Sequence, residues 1–366
     1  MAQKSRFIDG FASKKGQRQL AFFFVITAHT AACANLTFFA GSDQHASAGA
    51  LSSKHWINEG LNQTSDNEWI HIKSQWGLTK ETGRLSWGLA MNRSGYLSSN
   101  RNALALAAQD ERNDIVDLSP QGAFALFATS HALTSTVMSL GWRHDFNDAI
   151  TLNLRPHVHW IHDYQRSEGQ LSLKTSGTQS RLQGSLSRVG TRNYGFLVDD
   201  RANKGWGWGL DLQIRWDSAW GVAQLNAENL LGQLRFSNVH YSNRQYDVNA
   251  TDGQNLVVSD VPSLQGTYGF GGRNEKLPVA WRLGFQPTHL KGWDIGLSAM
   301  DADARWTLGY SRAWDIHRWW FRTVEAQNFG IGWQTQIGPK WSFGVGATAT
   351  RTNNPTMSSL YLQGRW

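Results

Sequence analysis

The stretch that most constrains this chain is Trp206 to Trp216, WGWGLDLQIRW. Trp206, Trp208, Leu210, Leu212, Ile214 and Trp216 occupy one set of alternate positions, and Gly207, Gly209, Asp211, Gln213 and Arg215 the other. In a strand, successive side chains point to opposite faces, so the run has one apolar and one polar face. The apolar face carries Trp at both ends and aliphatics between. That order suits a strand crossing a bilayer, with aromatics at the interfaces and aliphatics in the hydrocarbon. Eleven residues also match the roughly 9 to 11 that a tilted strand needs to span it.

The same alternation recurs along the chain. It appears in Ile70/Ile72/Trp76/Leu78, Leu85/Trp87/Leu89/Met91, Thr136/Met138/Leu140/Trp142 and Ile150/Leu152/Leu154/Val158/Trp160. It returns in Val279/Trp281/Leu283/Phe285, Trp293/Ile295/Leu297, Trp306/Leu308/Tyr310, Phe329/Ile331/Trp333 and Trp341/Phe343/Val345. With 19 Trp and a negative mean hydropathy, the chain has much apolar surface to place, yet no uninterrupted run of 18 apolar residues. Alternation reconciles the two. Ten or more such strands predict an all-β fold, a transmembrane antiparallel up-and-down β-barrel of about 12 to 16 strands. Pro156 interrupts its run, because proline cannot donate to a ladder, and predicts a bulge or a strand end.

The expected domain layout is a signal peptide over 1–34, a periplasmic tail or short plug over 35–67, with one early strand at Leu36 to Phe39 as the alternative, and the barrel over 68–366. The first segment has a basic start (Lys4, Arg6, Lys14, Lys15, Arg18), an apolar core at Leu20 to Ala28 and a small-x-small site at Ala32-Cys33-Ala34. Thr30 to Cys33 also admits lipidation at Cys33. With cleavage after Ala34 the mature chain has no cysteine and forms no disulfide. Two segments break the rhythm. Residues 96–133 carry the acidic cluster Asp110, Glu111, Asp114 and Asp117, expected as a long loop, or a plug that forms a constriction. Residues 233–273, polar and rich in Gly, Asn and Asp, are expected to hold one or two strands, with long outer loops near 240–275.

The chain stops at an alternating strand, SSLYLQGRW, ending in aromatic Trp366. With the export signal and the hairpin repeat, this resembles the terminal strand of Gram-negative outer-membrane β-barrels. Gly364 departs from that pattern, which usually has a hydrophobic residue there. The resemblance implies an integral outer-membrane location, contact with lipid and lipopolysaccharide, and recognition of Leu360, Leu362 and Trp366 by the barrel-assembly machinery. It carries no functional residue of a particular family.

Catalytic motifs are missing: no HExxH, no CxxC and no P-loop. Gly344 to Ala349 formally fits a dinucleotide pattern but lies inside an alternating strand. His157 and His159 share one face at a spacing that could bind a metal, and two polar lumen residues is the simpler reading. No metal or cofactor is expected. The net charge of +7 is spread singly along the strands, which does not suit nucleic acid. If the Trp/Leu faces meet lipid, Lys73, Arg84, Arg143, Arg155, Arg215, Arg282 and Arg305 face inward, against fewer acids at Asp211, Glu228 and Asp294. A basic lumen favours small anionic hydrophilic solutes, or an exported polymer, in a porin-like channel. The alternatives are a non-conducting structural or surface-interaction barrel and a lipid-modifying enzyme using His157 or His159.

Overall fold

A computed structural model describes residues 36–46, 67–103, 122–176, 179–191, 205–251, 265–300, 303–324, 328–337, 341–350 and 356–365. The expected signal peptide, Cys33, the acidic cluster from Asp110 to Asp117, and Trp366 lie outside the described residues. Alternation has produced strands throughout. They are β1 (Leu36–Ala46), β2 (Asn67–Thr82), β3 (Leu85–Asn100), β4 (Gly122–Asp145), β5 (Ile150–Ser176) and β6 (Gln179–Gly190). Next come β7 (Gly205–Ser218), β8 (Gly221–Glu228), β9 (Gln233–Thr251), β10 (Gln265–Lys276), β11 (Ala280–Pro287) and β12 (Trp293–Met300). The last are β13 (Asp303–Trp314), β14 (His317–Val324), β15 (Asn328–Ile337), β16 (Trp341–Thr350) and β17 (Thr356–Arg365). Among the described residues no helix is long and apolar enough to cross a membrane, a statement that does not bear on strands.

The pairings close a ring. β1 pairs antiparallel with β2 on one side (Phe38↔Leu78) and with β17 on the other (Phe38↔Gly364). Three positions around the ring are filled by two strands end to end. β5 pairs with β7 over Ile150–Ile161 and with β6 over Gln165–Ser176. β8 continues into β9, and β10 into β11, as neighbouring interrupted strands. The seventeen segments therefore make a ring of fourteen, each antiparallel to its neighbours and none with a free edge. Of the readings open for residues 35–67, the early strand at Leu36 to Phe39 is the one observed: it runs on to Ala46 as a strand of the wall. Strand β3 reaches Asn100 and β4 begins at Gly122, so the expected 96–133 loop is a shorter link. The one or two strands expected within 233–273 are β9 and β10, whose pairing takes up much of the expected 240–275 loops.

The exterior explains the sequence pattern. Leu89, Met138, Leu283, Ile295, Leu297, Phe321 and Ile331 are exposed on the outer face in a central band. Trp160, Trp206, Trp208, Trp281 and Trp306 flank it toward the long links; Trp87, Trp142, Trp216, Trp293 and Trp319 flank it toward the short turns. So much apolar surface in contiguous exposure belongs in lipid, because water would penalise it by about 25 cal/mol per Å². Trp87 faces Leu140, and Trp160 faces Trp206, so each register keeps the apolar sets on one side. Pro156 lies within β5, and the ladder to β4 passes from Ser139↔His157 to Trp142↔Leu154 without it.

The wall is uneven in height. β4 and β5 run for 24 and 27 residues, whereas β11, β12 and β14 have eight each. The tall side, β4–β5–β6–β9–β10, rises beyond the apolar band and curls inward. Register shifts between Thr134 and Ser135, and between Gly271 and Arg273, sit where it does so. On its concave face Leu133, Ile161, Tyr164, Val189, Leu234, Phe236, Val239 and Leu277 form a closed core. The inward glycines of the WGWG run make room for this packing. A Cβ on Gly205 would lie 2.5 Å from the Phe236 ring, and one on Gly207 would lie 2.5 Å from Leu234. On the convex face Phe124, Leu126, Leu173 and Leu182 cluster under Ala103, at the start of the link after β3. Asn100 anchors that link, accepting from the Ala103 amide and donating to the Ala125 carbonyl at 2.7 Å.

Candidate functional site: a divided lumen

The alternate positions not facing lipid point into the ring. Register carries this parity from strand to strand: Arg155 opposes Asp211, Gln213 opposes Asn226, Asn226 opposes Arg282, Arg282 opposes Ser298, and Ser298 opposes Arg305. Lys73 joins the inward set through Ser94 and Leu133. Thus Lys73, Arg143, Arg155, Arg215, Arg282, Arg305, Asp211, Glu228 and Asp294 all lie on the inner face. Arg84 stands in the β2–β3 turn with Gly83, whose φ of 61° suits that turn, and its charge acts on Asp145 beside Arg143 at the short-turn rim. Arg143 and Arg215 stand at the short-turn rim. Each bonds a carboxylate two residues further along its own strand, Asp145 at 3.0 Å and Asp217 at 2.8 Å, so their charge is locally matched. Arg155 and Arg282 are exposed inside the ring, one on each side of the β7–β8 pair.

The site's main feature is an ion pair across the lumen. Lys73 Nζ, on β2, donates to Glu228 Oε2, on β8, at 2.6 Å. Five neighbour steps separate those strands around the wall, through β3, β4, β5 and β7. Strands lie about 4.8 Å apart, so on a circular ring of fourteen they would be roughly 20 Å or more from each other. A lysine, a glutamate and one hydrogen bond span about 13 Å with side chains extended. The ring is therefore pinched at Lys73–Glu228, and its interior has two lobes.

The smaller lobe, under β3–β4–β5–β7, is packed shut by its own polar groups. Ser135 Oγ lies 3.0 Å from His159 Nδ1, and the His157 and His159 rings meet edge-on at 4.9 Å. His157 Nε2 is 3.1 Å from Asn229 Oδ1, and its Nδ1 is 3.3 Å from the Arg155 carbonyl and 3.6 Å from Asp211. Asn229 has φ +58°, a left-handed conformation in the β8–β9 break that asparagine tolerates. Its amide donates to Asp211 at 3.0 Å and its side chain to the Pro278 carbonyl at 3.2 Å. It thereby ties both interrupted strands to the wall. His157 uses both ring nitrogens on protein partners and His159 uses its Nδ1 alone, and both rings are closed off from lipid. Among the described residues no three His, Cys, Asp or Glu side chains gather at ion-binding spacing. A neutral Asn in a run of Leu and Gly gave no sequence signal for this role.

Above the lipid band the tall side continues the network. Tyr164 Oη donates to Glu275 Oε2 at 3.3 Å, and Arg166 Nη1 at 2.9 Å. His131 packs edge-on against Tyr164 at 5.3 Å; burial, then the nearby Arg166 charge, pulls its imidazole down to about 4. Arg181 and Gln183 donate to Asp247, holding its carboxyl down at about 2.

The larger lobe, bounded by β8, β11 to β17, β1 and β2, differs in character. Its inward positions are largely small or cationic. They include Gly284, Gly296, Gly309, Gly330, Gly332, Gly344 and Gly346, with Arg282, Arg305, Arg318 and Arg322. Among the described residues here, Phe39 on β1, opposite Gly77, and Trp320 on β14 are large aromatics with inward parity. Parity would have revealed Trp320 in HRWWFRTV, but two adjacent Trp obscure which one faces lipid. In the terminal strand, Leu360 and Leu362 oppose Val345 and Phe343 of β16.

No family model and no curated protein matches the chain in sequence. Among solved structures it is similar to the translocator domain of autotransporter NalP from Neisseria meningitidis, at 10% identity over 99% of both chains and a TM-score of 0.33. It is also similar to the toluene transporter TbuX of Ralstonia pickettii, at 11% identity over 91% and 90% of the two chains and a TM-score of 0.44. The Pseudomonas putida toluene transporter TodX matches at 10% identity over 90% and 87%, with a TM-score of 0.42. Likenesses this distant assign no activity.

Proposed function

We propose that the chain is an outer-membrane channel through whose larger lobe small hydrophilic anions pass. The observation that carries this is the contrast between the lobes. A barrel filled by its own side chains needs bulky inward residues all round. Here the β3–β10 sector uses them and seals itself, whereas the β11–β16 sector turns glycine, serine and arginine inward. A wall without bulk leaves water in the lumen, and guanidinium groups there favour anions in a space with low-dielectric walls. Arg282 and Arg305, on the inner face of that sector, supply that field. Arg215 contributes less, being matched by Asp217.

The test is planar-bilayer recording of the folded, purified protein. Single-channel steps with a reversal potential on the anion side are expected, and Arg282→Gln/Arg305→Gln together should move it toward cations. A folded protein giving no steps would leave a structural or surface-interaction barrel as the better reading. Steps with an unchanged reversal potential in the double variant would remove the basic-lumen argument.

A further inference from the structure

On the lumen face of β14, Arg318, Trp320 and Arg322 stand at alternate positions. All three point inward, since Trp319 and Phe321 are the exposed outer residues. The Trp320 indole packs against the glycine backbone of β15. Its backbone partner there is Gly332, and its ring occupies the space a Gly332 side chain would take, while reaching within 3.3 Å of a Cβ on Gly330. The Arg322 guanidinium carbon is 5.9 Å from the Trp320 ring centroid. On the other side Arg318 donates to Ser311 Oγ at 3.0 Å, which fixes its reach along the wall. An aromatic ring with bare glycine backbone behind it, one guanidinium over it and a second two residues along the same face is unusual on a lipid-facing strand's inner side, where a small polar residue would serve.

We propose that this triplet is a solute-binding site within the lumen, and that its ligand is a carboxylate carried on a ring. The proposal rests on the larger lobe being open to solutes. Alternate residues of a strand lie about 6.8 Å apart. A six-membered ring stacked on Trp320 places its carboxylate oxygens roughly 4 Å from the ring centre, one hydrogen bond of about 2.8 Å short of that spacing. The ring therefore stacks on the indole while the carboxylate reaches Arg318 or Arg322. A linear carboxylate gains the ion pair without the stack, and a neutral ring the stack without the ion pair. Benzoate and glucuronate share this chemistry from two sources, the first stacking by its π-face and the second by its C–H face.

The experiment is saturation-transfer NMR on the folded protein in detergent with benzoate, glucuronate and acetate, alongside bilayer recordings. Benzoate, glucuronate or both should bind at least tenfold more tightly than acetate, and the stronger of the two identifies the source. Trp320→Ala should weaken that ligand about tenfold and Trp320→Phe much less. Arg318→Gln/Arg322→Gln should reduce it to the level of a neutral ring. Gly332→Ala, which forces the indole off its floor, should act like the loss of Trp320. Acetate binding as tightly as the rings, or ring binding unchanged in Trp320→Ala, overturns the site. Binding without conductance keeps the site and removes the channel reading; conductance without binding does the reverse.

Discussion

Replacing Lys73 by methionine removes the charge that holds β2 against β8 while keeping most of the side chain's length. Both partners are partly exposed, 26% for Lys73 and 49% for Glu228, so the pair contributes about 1 kcal/mol at most. That is small against the hydrogen bonding of a closed barrel, and the thermal midpoint should hardly change. It is large against a choice between two shapes of one ring, where about 1 kcal/mol shifts the populations roughly fivefold. Relaxing the pinch from about 13 Å toward the 20 Å or more of a rounder ring would merge the lobes and raise conductance roughly twofold. Single-channel recording should therefore show Lys73→Met and Glu228→Gln occupying a larger step that the parent visits rarely. The exchanged pair Lys73→Glu/Glu228→Lys should return to the parental step. Equal steps in all four proteins would refute the divided lumen, as would a swap that behaves like the single variants.

Three further outcomes follow from the packing. Asn229→Ala loses hydrogen bonds to His157 and Pro278 and must hold a left-handed backbone without asparagine's tolerance; a loss of about 2 to 3 kcal/mol in denaturant unfolding is expected, and Asn229→Gly should recover the backbone share. Gly207→Leu drives a side chain into Leu234 and the Gln233 carbonyl, so its heat-modifiable band on gels should melt well below the parent's, whereas Trp208→Ala on the lipid face should fold normally in detergent. His131, held neutral with its pKa near 4 against an ordinary 6.5, must be desolvated to fold, so the unfolded state binds more protons between those values. Stability of the tall side is then fully present above about pH 6.5 and falls by the order of 3 kcal/mol as pH drops to 4. Hydrogen exchange in β4 and β5 should show this slope, and His131→Phe should flatten it.

Much of the wall was legible from period two alone. WGWGLDLQIRW became β7 with its Trp and Leu outside, because one pleat allows only one partition of those residues. The strand β1 was harder to see, since GSDQHA offers no apolar face, and its place is set by pairing with β2 and β17. The full length of β9 and β10 is hard to see in the sequence for a related reason. Outside lipid there is no apolar demand on the outer face, so alternation fades while the ladder continues.

The site was only half legible. Parity placed Arg155, Asp211, Glu228, Arg282 and Arg305 on the inner face, because facing depends on local geometry. It could not say that Arg215 is matched by Asp217 at the rim, that Asn229 ties the interrupted strands, or that Lys73 meets Glu228 across 155 residues of chain. The sequence by itself determined which side of each strand meets lipid, since a pleated backbone fixes that residue by residue. Only the tertiary structure decided the shape of the space enclosed, because the curvature of a closed ring depends on contacts between strands that no local pattern encodes.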